Sequence, residues 1–494
     1  MSVSSKNESK SPPSASSTLL NGETDLQNDL YRKQIQAFEN GLMTPYQFKG
    51  MPVEKFTLLE RMKKYQVPGI SIALIDQGEV IWAKSWGVCD ADTSKPVTIE
   101  TLFQAASMSK PVSAFAAMCL VEKGLLSLDE PINKTLKRWQ IPENALTQQQ
   151  AVTLRHLLGH TAGTTVHGFA GYAQDQMLPS VLDILKGEGS ANSDPVTVDT
   201  LPGEQWRYSG GGTTVVQLAI EDAGGVGFAE QLRQSVLEPS GMTHSTFQQP
   251  LPESMWGGAA SGHLADGQVI EKKFNHYPEL AAAGLWTTAI DLANFSLEVI
   301  KSWSAEQGAL LSAPLTEAFL NHQKTGSLGP WGLGFGLYRN GDETIGFHHG
   351  GVNAGFQGKT VAFHNGCGAA VMTNSDQGLL LVEEILTAAA EIYDWPALQS
   401  VENPCLPLSI EEQNKYAGSY RIKDPEDFNI RVEASAQRIT VTSKYTPETD
   451  FYCEKVEGET AYFTASNGMS VSFSEDDKHQ RILNIYGCTA IKEL

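Results

Sequence analysis

Strand patterns lie at both ends of a stretch of about 350 residues, and the segment between them is mostly helix and loop. Residues 70–75 and 79–87 alternate as a hairpin around a short Gly-containing turn. Near the far end, residues 344–347, 357–364 and 367–373 form further apolar runs of strand length. This arrangement predicts an α/β (α+β) fold, in which both ends of the stretch build one antiparallel sheet flanked by helices, with a helical insert.

The length of 494 residues predicts more than one domain. We expect a disordered leader over 1–30, because it is rich in Ser, Asn and Pro, and a main domain over 31–397. A Pro-containing linker is predicted over 398–409. Short alternating strands at regular spacing then predict a small all-β domain over 410–494, either a barrel or a sandwich.

The net charge of −21 and the pI near 5.0 argue against a nucleic-acid partner, because a phosphate backbone would be repelled. No run of apolar residues is long enough for a membrane span, and the start of the chain lacks the apolar core of a secretion signal. The six cysteines are scattered without a C-x-x-C pair, so reduced thiols and a cytoplasmic location are expected. No cofactor is expected.

The tetrapeptide from Ser107 to Lys110 is the one Ser-x-x-Lys in the chain, and a helix is predicted to begin there. Residues three apart on a helix share a face, so the hydroxyl and the amine can meet. A lysine whose pKa is lowered by burial can take the proton of a serine and activate it as a nucleophile. Composition alone also produces about one such tetrapeptide in a chain of this length.

Two further segments carry candidate chemistry. Tyr208 stands before three glycines, which let a phenol approach a site closely, although a turn tyrosine capping the next helix fits the pattern too. His349, Gly350, Gly351 and Val352 form a Gly-rich segment that could bring a cationic or hydrogen-bonding histidine beside backbone donors. They belong to the longer Gly-rich segment 346–356, and we expect an edge strand to begin after it; a hairpin turn with incidental histidines is the alternative.

The order of these motifs resembles the serine β-lactamase and penicillin-binding-protein superfamily, in its branch of class C β-lactamases, D-aminopeptidases and family VIII esterases. Further segments share the resemblance, which covers about residues 55 to 395; they are Val67–Ser71, Leu154–Gly163, Ala283–Ala293 and Trp331–Gly336. The resemblance implies a β-lactamase/transpeptidase-like fold. The segment around Tyr416–Tyr420 resembles the lipocalin-like barrel that some of these hydrolases append.

By this resemblance Ser107 is the acylated nucleophile, Lys110 accepts its proton and Tyr208 is the relay. His349 stands where many relatives carry the Lys of Lys-Thr-Gly, and the backbone N–H groups of Ser107 and Val352 would form the oxyanion hole. Which group is the acylation base is left open.

Two departures from the family pattern bear on the substrate. Gly210 replaces an asparagine that grips an amide, and His349 is a weaker carboxylate ligand than lysine. Both favour an ester, or a less stereotyped amide, over a β-lactam.

The resemblance implies a serine hydrolase that acts on a small ester or amide through an acyl-enzyme. A catalytically idle scaffold or binding protein on the same fold is the alternative from another class, and a homo-oligomer is left open. Trp286 and Trp331 are candidates for a pocket lining or for the core. His156 and His160, four residues apart, have a spacing that can bind zinc, but the metalloprotease glutamate is missing and no metal is expected.

Overall fold

The computed structural model describes residues 18–20, 25–423, 427–435, 437–444, 446, 448–476 and 480–493. They divide into two compact units, one built mainly from Leu59–Val382 and one mainly from Leu398–Leu494. The second unit also takes in Ala37–Leu58 and Glu383–Asp394.

The strands are β1 (Thr18–Leu20), β2 (Tyr46–Phe48), β3 (Gly69–Asp76), β4 (Glu79–Asp90), β5 (Lys95–Pro96), β6 (Phe103–Gln104), β7 (Trp286–Thr287), β8 (Lys324–Gly326), β9 (Gly329–Trp331), β10 (Gly336–Asn340), β11 (Glu343–Asn353), β12 (Phe356–Phe363), β13 (Gly368–Thr373), β14 (Val401–Asn403), β15 (Gly418–Ile422), β16 (Phe428–Ser435), β17 (Arg438–Thr442), β18 (Thr449–Glu457), β19 (Thr460–Ala465), β20 (Ser470–Glu475), β21 (Arg481–Ile485) and β22 (Cys488–Lys492). The α-helices are α1 (Asp25–Glu39), α2 (Leu58–Lys64), α3 (Ser109–Glu122), α4 (Ala145–Gln149), α5 (Leu154–Leu158), α6 (Val181–Lys186), α7 (Gly210–Gly224), α8 (Phe228–Leu232), α9 (Glu253–Trp256), α10 (Leu280–Ala283), α11 (Ala289–Trp303), α12 (Ala313–Leu320), α13 (Gly378–Tyr393) and α14 (Ile410–Gln413).

The large antiparallel sheet confirms the predicted α/β (α+β) class. Its strand order is β1-β4-β3-β13-β12-β11-β10-β9-β8, so the early hairpin and the late strands meet where β3 pairs with β13. The register there places Ile72 opposite Val371. The sheet is therefore assembled from both ends of the stretch, and the helices from α3 to α12 lie between them in the sequence.

The predicted leader over 1–30 falls largely outside the described residues, since 1–17 and 21–24 are not among them. Two described pieces of it have regular structure. Thr18–Leu20 adds an antiparallel strand beside β4, with Leu19 opposite Ala83, and α1 begins at Asp25.

Helix α3 is the buried centre of the helical region. Its residues from Ser109 to Leu120 are all buried, as predicted from a segment that is apolar on nearly every face. Pro111 is tolerated because it lies in the first turn, where its missing N–H would have had no helical partner. Phe115 packs edge-on against Phe295 of α11 at 5.6 Å, in the core that holds α3 in place.

The second unit contains a closed barrel of the eight strands β15 to β22, which resolves the choice between barrel and sandwich. Alternate residues point inward, and the interior is filled by aromatic and aliphatic side chains such as Tyr420, Phe463 and Phe473. Within the segment 398–409, predicted as a linker, strand β14 pairs in parallel with β2. A barrel of eight strands is narrow enough for side chains to fill it, and the centre of this barrel is packed.

Candidate active site

Ser107 lies in a single 3-10 turn, Ala106–Met108, directly before α3. Ala106 has φ of +50°, a left-handed conformation that costs free energy for a residue other than glycine. The turn is held by Ser109, whose Oγ donates to the Ala106 carbonyl at 2.6 Å and accepts the N–H of Leu285 at 3.0 Å. The backbone strain beside Ser107 is thus maintained by its neighbours.

Lys110 meets Ser107 as its spacing predicts. Its Nζ lies 3.0 Å from Ser107 Oγ and donates to the Ala282 carbonyl at 2.8 Å. The side chain is only 5% exposed, and burial lowers the pKa of Lys110 from 10.5 to about 7. A substantial share of the amine is therefore uncharged at neutral pH, with a lone pair beside the hydroxyl.

Tyr208 reaches the same point from the start of α7. Its hydroxyl forms a side-chain hydrogen bond with Ser107, and its ring centroid lies 4.9 Å from Lys110 Nζ. Burial raises the pKa of Tyr208 above its usual range, so the phenol keeps its proton at neutral pH. The three predicted residues Ser107, Lys110 and Tyr208 are thus brought together.

His160 supports the phenol. Its ring lies 4.4 Å from that of Tyr208, centroid to centroid, and its Nδ1 accepts the backbone N–H of Ser209 at 3.3 Å. Ser209 in turn caps α7, since its Oγ accepts the N–H of Gly212 at 2.9 Å. His160 and His156, considered above as a zinc pair, have separate partners, because His156 caps α5 through Thr153. No cluster of potential metal ligands is found in the described part of the chain.

Strand β11 brings the second group of predicted residues to the nucleophile. β11 runs through His349, Gly350, Gly351 and Val352. The strand expected after the Gly-rich segment is β12, and it pairs with β11 and β13, so it is an interior strand and not the edge strand that we predicted. The pairing of β11 with β10 ends at Gly336↔His348, whereas its pairing with β12 continues to Asn353. Beyond the end of β10, one side of β11 has no neighbouring strand from this pairing. The last residues of β11 face the Ser107 turn along this side.

Gly351 is required for this approach. A Cβ at this position would lie 2.2 Å from the carbonyl oxygen of Ala105, a distance at which backbone atoms must move. A Cβ at Gly350 would have open space, with one atom at 3.8 Å. Val352, the next residue, has a side chain that is 55% exposed.

His349 is buried and uncharged. Of the two roles considered for it, the hydrogen-bonding role fits a neutral imidazole and the cationic role does not. Burial, with a contribution from the nearby Lys110, lowers the pKa of His349 to about 3. Nδ1 lies 2.6 Å from the carbonyl oxygen of Gly350, which assigns the proton to Nδ1. Nε2 is buried without a hydrogen-bond partner among the described residues, and it carries a free lone pair.

Two tryptophans form the wall behind Tyr208 and His349. Trp331 is nearly buried, with its ring 5.4 Å from that of His349 and 6.0 Å from that of Tyr208. Trp206 packs 5.5 Å from Trp331 and lies flat on Gly326, where a Cβ would collide with the indole. Trp286, the other candidate, belongs to the core, 4.8 Å from the ring of Phe274.

Comparisons with known proteins find similar sequences and similar folds. A family model described as Beta-lactamase matches residues 57–393. Penicillin-binding protein 4* of Bacillus subtilis (strain 168) is 29% identical over 195 residues, which cover 38% of this chain and 40% of that protein. Esterase EstB of Burkholderia gladioli is 28% identical over 201 residues, which cover 39% of this chain and 50% of that protein. The chain thus spans half or less of the length of these two curated relatives.

Among solved structures, an octameric penicillin-binding protein homologue from Pyrococcus abyssi has a similar fold. The TM-score is 0.59 at 22% identity, and the match covers 88% of this chain and 98% of the other. At this identity the likeness concerns the fold alone. Across the part of the chain that the structure describes, no helix has the length and apolar character of a membrane span.

Proposed function

Because this chain belongs to the beta-lactamase family, we propose that it is a serine hydrolase that forms an acyl-enzyme at Ser107 and cleaves a small ester or amide. The observation that carries the proposal is the 3.0 Å contact between Lys110 Nζ and Ser107 Oγ, made by an amine whose pKa is about 7. A base with a pKa near the working pH is the most effective one for removing a proton.

In the proposed reaction, Ser107 Oγ attacks the substrate carbonyl carbon while its proton passes to Lys110. The negative charge on the carbonyl oxygen is stabilised by the backbone N–H groups of Ser107 and Val352. The bond to the leaving group then breaks, and Tyr208 donates its proton to that group and regains one from Lys110. In the second half water attacks the acyl-enzyme, and its proton passes through Tyr208 to Lys110; as the acyl bond to Oγ breaks, Lys110 returns a proton to Oγ and restores the hydroxyl.

These assignments follow from the two pKa directions. Lys110 is partly uncharged at neutral pH and can accept a proton, whereas Tyr208 holds its proton and can donate one. Lys110 is therefore the base in our account and Tyr208 the relay. A phenol that donates in one half of the cycle can accept in the other, by microscopic reversibility.

An ester is favoured over a β-lactam. His349 is uncharged, so the site lacks the cation that holds a carboxylate where many relatives have lysine. Gly210 offers no side chain to grip an amide, and esters need neither contact. The esterase among the relatives, aligned over 201 residues, supports this choice.

The idle scaffold fits the geometry less well. A buried amine with no acidic partner among the residues that the structure describes, and the left-handed Ala106, both cost stability. Strain and low pKa values of this kind cluster at working sites, where they serve the reaction.

The test is labelling with a fluorophosphonate, followed by peptide mass spectrometry. We expect one label, on Ser107, in the wild-type protein and none in Ser107→Ala. Turnover of p-nitrophenyl butyrate without turnover of a chromogenic cephalosporin would support the ester. Labelling at another residue, or the absence of any label in a folded protein, would refute the proposal.

A further inference from the structure

Asn353 is the last residue of β11 and directly follows Val352, whose N–H is one of the two proposed oxyanion donors. Alternate residues of a strand share a face, so the buried side chain of Asn353 lies on the face of β11 that also carries His349 and Gly351. This face meets the Ser107 turn at Gly351. Asn353 is therefore the next side chain along the surface where β11 and the nucleophile meet.

The side-chain amide of Asn353 donates two hydrogen bonds. Its Nδ2 lies 2.8 Å from Gln104 Oε1 and 3.3 Å from the carbonyl oxygen of Ala283. Gln104 Nε2 in turn donates to the carbonyl of Asn275 at 2.7 Å. Because a carbonyl oxygen only accepts, these bonds fix the orientation of both amides.

The two acceptors belong to segments that hold the nucleophile and the base. Gln104 ends β6 and stands three residues before Ser107. Ala283 ends α10, and the carbonyl just before it, that of Ala282, accepts from Lys110 Nζ at 2.8 Å. One buried amide thus joins the end of β11 to the segment that leads into the nucleophile and to the helix that binds the amine.

The N–H of Val352 points towards the same region. A two-residue turn joins β11 to β12, and Asn353 pairs with Phe356 at its base. In such a hairpin the pair that closes the turn exchanges backbone hydrogen bonds, and the next pair does not. The N–H of Val352 belongs to the next pair, so it points away from β12, to the side of β11 that lies beyond the end of β10 and faces the Ser107 turn.

We propose that Asn353 is a positioning residue whose amide holds the Val352 N–H in place beside the Ser107 N–H, so that both can bind the oxyanion. An oxyanion donor acts on charge that develops in the transition state, so a displaced donor lowers the rate more than it weakens substrate binding. This inference rests on the proposed function and adds to it the side chain that sets one half of the oxyanion hole.

The experiment measures kcat and KM for p-nitrophenyl butyrate in Asn353→Asp, which keeps the shape of the side chain and loses its N–H donors. The variant should fold, because the hairpin has a second support in the bond from the Ala354 N–H to the Tyr277 hydroxyl at 3.1 Å. Labelling with a fluorophosphonate to completion counts the active sites. Per labelled site, kcat should fall by about tenfold or more, towards the loss caused by removing an oxyanion donor, and KM should stay within about threefold.

Asn353→Leu removes the amide without adding a charge and should lose a similar factor in kcat. Asn133→Asp is the matched control, since Asn133, outside the site described above, also donates from Nδ2 to a backbone carbonyl, that of Ile141 at 3.0 Å. Its kcat per labelled site should equal that of the wild type. In the Gly351→Ala background, Asn353→Asp should cost less than it does alone, because both changes displace the same N–H.

A wild-type kcat per labelled site in both Asn353 variants, with only the thermal midpoint lowered, would overturn the inference and leave the amide a structural role. A loss carried by KM alone would also overturn it, because the amide would then contribute to substrate binding and not to the transition state. In both cases a wild-type protein labelled on Ser107 still supports the hydrolase. A wild-type protein that takes no label and hydrolyses no ester refutes the proposed function, and the inference falls with it.

Discussion

The Cα of Gly351 lies so close to the carbonyl of Ala105 that an added Cβ would stand 2.2 Å from its oxygen. This approach joins the last part of β11 to the turn that carries Ser107. Both proposed oxyanion donors, the N–H groups of Ser107 and Val352, flank the contact. The distance between these two N–H groups therefore depends on the absence of a side chain at Gly351.

Gly351→Ala should therefore push β11 away from the nucleophile. We expect kcat for an ester to fall by about 10²-fold or more, the loss seen when an oxyanion donor is removed. Gly350→Ala is the matched control, since its Cβ meets open space, and its activity should stay within a few-fold of wild type. Equal losses in the two variants would show that the contact with Ala105 has no special role.

Lys110 should make the stability of the folded protein depend on pH. Its pKa is 10.5 in the unfolded chain and about 7 in the folded one, so the unfolded state binds more protons between these values. The free energy of unfolding should then rise with pH, by about 1.4 kcal/mol per pH unit at most. In Lys110→Met this contribution to the pH dependence of the free energy of unfolding should disappear.

Lys110→Met should lose about 10³-fold or more in kcat and be at least as stable as wild type at pH 7. Urea denaturation at several pH values, with activity measured on the same samples, checks both statements. An active Lys110→Met, or one that is much less stable than wild type at neutral pH, would mean that the amine is a structural cation.

Tyr208→Phe keeps the ring against His160 and Trp331 and removes only the hydroxyl. Loss of a positioned proton donor should lower kcat by about 10²- to 10⁴-fold. The thermal midpoint should change little, because the aromatic packing is retained. Activity close to wild type would remove Tyr208 from the proton route.

Much of this arrangement could be predicted from local patterns. The contact between Ser107 and Lys110 follows from the geometry of one helical turn, and the sheet follows from strands whose apolar faces require partners. The Gly-rich segment was harder to interpret. Because glycine is uncommon inside strands, a turn at Gly350 and Gly351 was the alternative to a substrate-binding segment, yet contact with the Ser107 turn makes glycine necessary at Gly351 within β11.

The surroundings of Tyr208 could not be derived in this way. His160 has φ of +54° and Val166 has φ of +63°, left-handed conformations that cannot be predicted from these residue types. Trp206, which stands two residues before Tyr208, could have been noticed from that position alone. The ring of Phe169 meets Gly210 only through a loop whose path depends on backbone bonds to α7. Such long-range placements depend on the whole fold.

The central claim is that an uncharged Lys110 takes the proton of Ser107, and the pH dependence of kcat/KM for p-nitrophenyl butyrate tests it most directly. The rate should rise with pH through a single limb with a midpoint near 7, because the amine must lose its proton before it can act. His349→Gln should keep that midpoint, since the imidazole it removes is already neutral. A midpoint near 10, or a limb that vanishes in His349→Gln, would contradict the account.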